Sequence, residues 1–252
     1  MSNKIIQSLW IGDRLSTLEV LCIRSFLANG HEFHLYSYSK EVKEMPPGTV
    51  LKDANEIVPA EKVYKDVAGV YTSFANWFRY KLLYAKGGWW VDMDVVCLKH
   101  FDFPEEYCFT TEIINDSYGR KIIANNAVMK SPPQAEYLHE MLERMENEDL
   151  VNAPWGIFGS RFLDATLEGY NSENFIQPNY VFCLINWHEV ELFFKDELEM
   201  TFDHCHAIHL WNNIWAKKGI KKDEQYSPTS LIEQLKAKYL PVNFATNALQ
   251  PS

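Results

Sequence analysis

Residues 73–95 read SFANWFRYKLLYAKGGWWVDMDV, and the rest of the chain is organised around them. Over Ser73–Lys86 the large apolar residues recur at helical spacing. Phe74, Phe78 and Leu82 form one stripe, and Trp77, Tyr80 and Tyr84 another. Gly87-Gly88 stops that helix, because glycine accepts the left-handed backbone on which helices end. Trp89–Val91 then predicts a short buried strand, with Asp92 and Asp94 at its carboxyl end.

Outward from this stretch, strands and helices alternate. Lys4–Ile11 predicts a strand, Ser16 caps a helix that Asn29-Gly30 ends, and His31–Tyr38 predicts a second strand. Met45–Gly48 is a turn, followed by extended chain near Val50 and a helical stretch over Lys62–Val70. Beyond the aspartates, Tyr107–Ile113 and Lys121–Lys130 predict strands, and Pro132–Glu146 and Trp155–Leu167 helices. Phe175–Ile185 and Ala207–Leu210 predict strands, and Ser230–Tyr239 a last helix. The alternation implies an α/β fold, a mostly parallel sheet covered on both faces. Without repeat or linker, the expectation is one domain over 1–240 and a tail over 241–252.

The chain has 252 residues, 47% of them hydrophobic, enough for a substantial core. Its formal charge of −10 excludes a nucleic-acid partner, since no basic excess exists to replace phosphate counterions. An anionic small ligand needs local positive charge. Five scattered cysteines without a CxxC pair suit free thiols in a reducing compartment. No stretch approaches a membrane span, and the apolar run at the N-terminus is too short for a signal peptide. These features predict a cytoplasmic location.

In an open α/β sheet, ligands bind beyond the carboxyl ends of the strands. If Asp92 and Asp94 continue the strand, alternation turns both to one side and Met93 away. Two carboxylates that close repel unless a cation joins them, and hard oxygen ligands suit Mg²⁺ or Mn²⁺. DMDVV also fits the start of haloacid-dehalogenase-like phosphatases. That family places the motif near its N-terminus and needs a later acidic site, which this chain lacks. Asn76 and Arg79, three apart on the preceding helix, share a face and can meet the same ligand.

The run S-x-x-N-W-F-R-Y-K-L-L-Y-x-x-G-G-W-W-V-D-M-D-V closely resembles the sugar-binding DXD region of glycosyltransferase family 32. That family includes capsular polysaccharide transferases, yeast-type mannosyltransferases and α-1,4-galactosyltransferase relatives. More distantly, the run is similar to the glucosylating domain of clostridial toxins. The resemblance implies a GT-A fold and a metal-dependent transfer, with retention, of a hexose from a nucleotide-sugar. UDP-hexose is the favoured donor, and the acceptor is a glycan or a lipid-linked sugar. It also implies roles residue by residue. Arg79 holds the donor, Asp92 lies near ribose and sugar, and Asp94 ligates the metal. Trp10, in IIQSLWIGD, stacks on the base while Leu9 supplies backbone contacts. Asn125 and Asn126 line the sugar pocket.

Near the C-terminus, HCHAIHLWNNIW gathers three histidines and a cysteine. On a strand, His204 and His206 face opposite to Cys205 and His209, so four zinc ligands would not converge. The resemblance instead implies His209 as a third metal ligand, with Trp211 and Asn212 near the diphosphate. Lys217, Lys218, Lys221 and Lys222 form a solvated loop, or meet the diphosphate or an anionic membrane surface on which the protein is peripheral. Trp155-Gly156 and Asn186–Glu189 are candidates for an acceptor wall. One departure stands out: Asn76 occupies a position where the family carries aspartate. A catalytically silent nucleotide-sugar-binding protein is therefore the second reading.

Overall fold

A computed structural model describes residues 3–117, 119–154 and 156–241. Chain order is β1 (Ile5–Trp10), α1 (Thr17–Ala28), β2 (Glu32–Ser37), β3 (Val50–Asp53), α2 (Thr72–Lys86), β4 (Gly88–Val91) and β5 (Val95–Cys97). There follow β6 (Cys108–Asp116), β7 (Gly119–Ser131), α3 (Glu136–Glu146), α4 (Ser160–Leu167) and α5 (Asn179–Phe182). The chain closes with β8 (Ala207–His209), α6 (Asn212–Lys217) and α7 (Leu231–Tyr239).

Six strands form one sheet in the order β3-β2-β1-β4-β7-β6. The pairs among β3, β2, β1 and β4 are parallel, whereas β7 runs antiparallel to both β4 and β6. The chain winds from β1 outward through β2 to β3, then returns to the other side of β1 as β4. The switch point therefore lies between β1 and β4. Their carboxyl ends, Trp10 and Val91, flank it, and the connections diverge there to leave a crevice. Gln7 and Ser8 fasten this join, Gln7 donating to the Gly87 carbonyl at 2.8 Å and Ser8 to the Val91 carbonyl at 2.7 Å.

Helices cover both faces. Trp89 points into the core built on α1 and α7, and Trp90 into the core built on α2, α3 and α4. Gly87, with φ 65°, makes the turn between α2 and β4. A Cβ there would lie 2.6 Å from the Pro133 backbone, so only glycine fits. The α/β expectation thus holds as an architecture: a mostly parallel central sheet between helical layers.

Several local expectations are overturned. Lys62–Val70 forms no α-helix. A 3-10 turn over Ala60–Lys62 leads into a loop in which the Asp66 carboxylate accepts from the Ala68 and Val70 amides. That side chain competes with helical bonding, and Gly69 takes φ 75°. Phe175–Ile185 forms no strand beyond a bridge from Ile176 to Phe109, because Pro178 starts the short α5. The helix expected from Trp155 begins only at Ser160, after Gly156 and Gly159. Trp155 itself and residues 242–252 of the expected tail lie outside the described residues. Val95–Cys97 is a strand that the sequence reading missed. All five cysteines are free and buried. Among the described residues, no helix is long and apolar enough to cross a membrane.

Candidate functional site

A cleft of about 960 Å³ opens at the switch point. The residues expected to bind donor and metal all line it: Leu9 and Trp10 from β1, Asn76 and Arg79 from α2, Asp92 and Asp94 after β4, Asn125 and Asn126 from β7, and His209 at the end of β8 with Trp211 and Asn212 after it. They are brought together from five separate parts of the chain.

The aspartates do not continue the strand. β4 ends at Val91, and Asp92–Asp94 form a turn closed by a bond from the Val95 amide to the Asp92 carbonyl at 3.1 Å. Strand alternation is therefore not what aligns the carboxylates; the turn does so. Met93 is not turned away as alternation required but lines the cleft.

Asp92 is held from three sides. Its Oδ1 accepts from Arg79 Nη2 at 2.5 Å and from Trp90 Nε1 at 2.7 Å, while its amide bonds the Ala127 carbonyl at 2.8 Å. The Arg79 guanidinium lies 5.0 Å from the Trp90 ring, a cation–π contact inside the fold. Arg79 Nη1 donates to Asn76 Oδ1 at 2.6 Å, and Asn126 Nδ2 donates to the same oxygen at 3.0 Å. Asn76 Oδ1 is thus occupied twice, leaving its amide NH₂, a donor, as the group available to a ligand.

Asp94 meets a different element. β5 pairs antiparallel with β8, Val95 opposite His209, and the Leu210 amide bonds the Asp94 carbonyl at 2.8 Å. This ribbon sets His209 Nε2 3.3 Å from Asp94 Oδ1. Trp211 takes a left-handed φ of 60°, uncommon for a bulky residue, with its Nε1 anchored on the Ile185 carbonyl at 2.8 Å. That conformation turns the Asn212 amide onto Asp94 Oδ2 at 2.8 Å. Trp211 also packs its ring, tilted by 36°, with its centroid 3.8 Å from that of His209.

These environments drive the two carboxylates apart. Burial raises the Asp92 pKa, and the Asp94 charge adds to it against the opposing pull of Arg79. Burial would raise Asp94 as well, but the His209 charge and hydrogen bond and the Asn212 amide bring it below the ordinary carboxylate value. His209 responds in kind: burial opposes its charge, yet Asp94 raises it well above the usual imidazole value.

Comparison with known proteins now bears on this arrangement. Residues 16–117 match the family described as a glycosyltransferase sugar-binding region containing a DXD motif. Residues 164–246 match the alpha 1,4-glycosyltransferase conserved region. The chain is a glycosyltransferase with a DXD sugar-binding region. The first region carries Arg79, Asp92 and Asp94, and the second His209, Trp211 and Asn212, so the cleft is shared between them. No curated protein sequence matches the chain significantly. Among solved structures, the PaToxG glycosyltransferase is similar with a TM-score of 0.47 and 12% identity, over 66% of this chain and 69% of that one. A transferase carrying two cysteine-to-serine substitutions is similar with a TM-score of 0.39 and 9% identity, over 67% of this chain and 85% of that one. Both likenesses are too loose to speak to the site.

DXD regions of glycosyltransferases generally bind a divalent metal. In this glycosyltransferase Asp92, Asp94 and His209 each offer a ligand atom within 4.8 Å of the others, the one such trio among the described residues. Two carboxylate oxygens and an imidazole nitrogen suit a divalent ion between hard and soft, so the donor set fits. His204, Cys205 and His206 take no part.

The loop that follows carries its own cations. Lys222 pairs with the buried Glu19 and lies 5.9 Å from the Trp10 ring, and Lys217 lines the cleft. Lys218 and Lys221 pair with Glu191 and Glu224. Of the acceptor-wall candidates, Gly156 and Trp187 line the cleft, whereas Asn186 and Glu189 cap a 3-10 helix. Sequence reasoning missed Glu19, Trp90, Glu112 and Ser160. Trp90 packs in the core and Glu19 completes the capping box of α1 with Ser16, and each also lines the cleft.

Proposed function

We propose that the protein transfers a hexose from UDP-hexose to a glycan or lipid-linked acceptor, with retention, using Mn²⁺ or Mg²⁺. The observation that carries this reading is the convergence of Asp92, Asp94, His209 and Arg79 with Trp10 in one cleft at the switch point of the sheet. Asp94 and His209 hold the metal and Asp92 assists. The bound cation supplies positive charge that offsets the donor diphosphate, which an acidic chain cannot otherwise attract.

The chain's own groups do the rest. Trp10 presents a ring for base stacking, with Leu9 backbone groups at its edge. Arg79, fixed by Asn76, Asp92 and the Trp90 ring, is preorganised toward the cleft and stabilises charge growing on the leaving phosphate. Asn212, Trp211 and Lys217 close the diphosphate end, while Asn76, Asn125 and Asn126 line the sugar end. The alpha 1,4-glycosyltransferase region supports retention, since alpha-linked donors then give alpha-linked products.

A thermal-shift screen of UDP- and GDP-sugars with and without Mn²⁺ tests this reading. The expected outcome is stabilisation by a UDP-hexose only with the metal. Stabilisation by no nucleotide-sugar under any metal condition would overturn it.

The second reading is a silent nucleotide-sugar-binding protein. Asn76 favours it: a neutral carboxamide with its oxygen occupied stands where the family carries a carboxylate. Metal-dependent hydrolysis of a bound donor separates the two, since only the enzyme turns the donor over.

A further inference from the structure

Four carboxylates line the cleft, and three are neutralised. Asp92 is paired with Arg79, Asp94 with His209, and Glu19 with Lys222. Glu112 is the exception. It stands on β6 with 7% of its surface exposed, and among the described residues it has no ion pair. Its hydrogen bond is to a neutral amide: Asn125 Nδ2 donates to Glu112 Oε1 at 3.0 Å. A carboxylate this buried without a cation is costly unless a ligand completes its hydrogen bonding.

The fold aims Glu112 deliberately. The β6–β7 ladder is interrupted between Phe109 and Thr110, so that Phe109 pairs with Met129 but Thr110 with Asn125. Asn125 Oδ1 accepts from the Ala127 amide at 2.7 Å and holds this irregularity, while its Nδ2 also meets Ser160 Oγ at 3.3 Å. As a result Asn125 and Asn126, neighbours that would point apart on a regular strand, both line the cleft. Asn126 touches Asn76, and Asn76 touches Arg79. Glu112 is thereby placed beside Asn125, next in sequence to the polar chain Asn126–Asn76–Arg79 that ends at Asp92.

A diphosphate cannot lie against an unpaired carboxylate, and a neutral sugar can, because its hydroxyls donate. We infer that Glu112, oriented by Asn125 and Ser160, is a specificity-determining residue that accepts a hydrogen bond from a hydroxyl of the transferred hexose and excludes donors whose sugar carries a carboxylate. The inference rests on the nucleotide-sugar reading above and adds the class of sugar: an uncharged hexose and not a hexuronic acid. Arg161 also lines the cleft, and among the described residues no ion pair joins it to Glu112.

Calorimetry with Mn²⁺ tests this on UDP, UDP-glucose, UDP-galactose, their N-acetylamino counterparts and UDP-glucuronic acid. In the unmodified protein, a neutral UDP-hexose is expected to bind more tightly than UDP, and UDP-glucuronic acid no more tightly. In Glu112→Gln the advantage of the neutral sugar is expected to fall roughly 10- to 100-fold, the worth of a hydrogen bond to a charged group, while UDP affinity stays unchanged. The UDP titration also reports that the variant is folded, and the comparison of neutral with acidic donors needs no variant at all. An undiminished sugar advantage in both Glu112→Gln and Glu112→Ala would overturn the inference, as would tight binding of UDP-glucuronic acid. A defect confined to the acceptor KM would overturn it too, since the contact would then belong to the acceptor. If UDP itself does not bind with Mn²⁺, the donor reading fails, a result distinct from those.

Discussion

The two ends of the parallel sheet bury comparable polar groups and use them oppositely. At the amino end, Lys130 is buried and donates to Asn3 Oδ1 and to the Phe103 carbonyl, each at 2.7 Å. Nearby, His31 stacks on His100 at 4.1 Å and accepts from the Phe101 amide at 3.0 Å. Lys130 and His31 Nε2 are thus met by fixed protein partners. At the carboxyl end, Asp92, Asp94, His209 and Glu112 converge on an open cleft and keep capacity for a ligand. Burial of charge alone therefore does not mark a site; convergence on a cavity at the switch point does.

Trp89 and Trp90 condense this difference into two adjacent letters. Trp89 packs on Phe101, centroids 5.0 Å apart, and donates to Asn3 at the closed end. Trp90 carries Arg79 on its ring and donates to Asp92 at the open end. The largest expected effect breaks the closed end. Trp89→Ala should cost about 4 kcal/mol of stability, as for other buried tryptophans, measured by denaturant unfolding. A cost below about 1 kcal/mol would contradict its place in the core.

The closed end also has an acid dependence. Burial, with the neighbouring His100, lowers the His31 pKa to about 4, whereas an unfolded histidine titrates near 6.5. Between those values the unfolded chain binds the proton first, so stability falls as pH drops from about 6.5 toward 4. The expected loss attributable to His31 is about 3 kcal/mol by pH 4. Replacing it in His31→Gln should flatten that part of the stability profile. An identical profile in the variant would remove His31 as the source.

The smallest effect on stability sharpens the open end. Trp90→Phe keeps most of the packing but removes the N–H on Asp92, a loss of about 1 kcal/mol. Turnover should fall more than stability does, about tenfold, because Asp92 loses one of its two side-chain anchors. Equal turnover would mean that Arg79 alone orients Asp92.

Much of this was legible in the chain. The run from Ser73 to Val95 announced helix, glycine stop, buried strand and paired acids, because each element has a local periodicity or breaker that needs no tertiary context. The alternation in the first half foretold the parallel sheet. Where local signals are weak, the reading failed. Phe175–Ile185 is apolar enough for a strand, but Pro178 and the packing around α5 decide otherwise. The turn at Asp92–Asp94 is set by the β5–β8 ribbon, a pairing between distant segments that no local pattern reveals. Glu112 was invisible for the same reason: its meaning comes from Asn125 across an irregular ladder, and from the cations it lacks.

The central claim is that the open end binds a nucleotide-sugar through a metal held by Asp94 and His209. Calorimetric titration of UDP-hexose into the protein, with Mn²⁺ and with chelator, and into Asp94→Ala with Mn²⁺, tests it most directly. The account predicts binding only in the metal-loaded, unmodified protein, with an affinity loss of at least about 100-fold in either other condition. Undiminished affinity in Asp94→Ala with Mn²⁺, or in the unmodified protein with chelator, would contradict it.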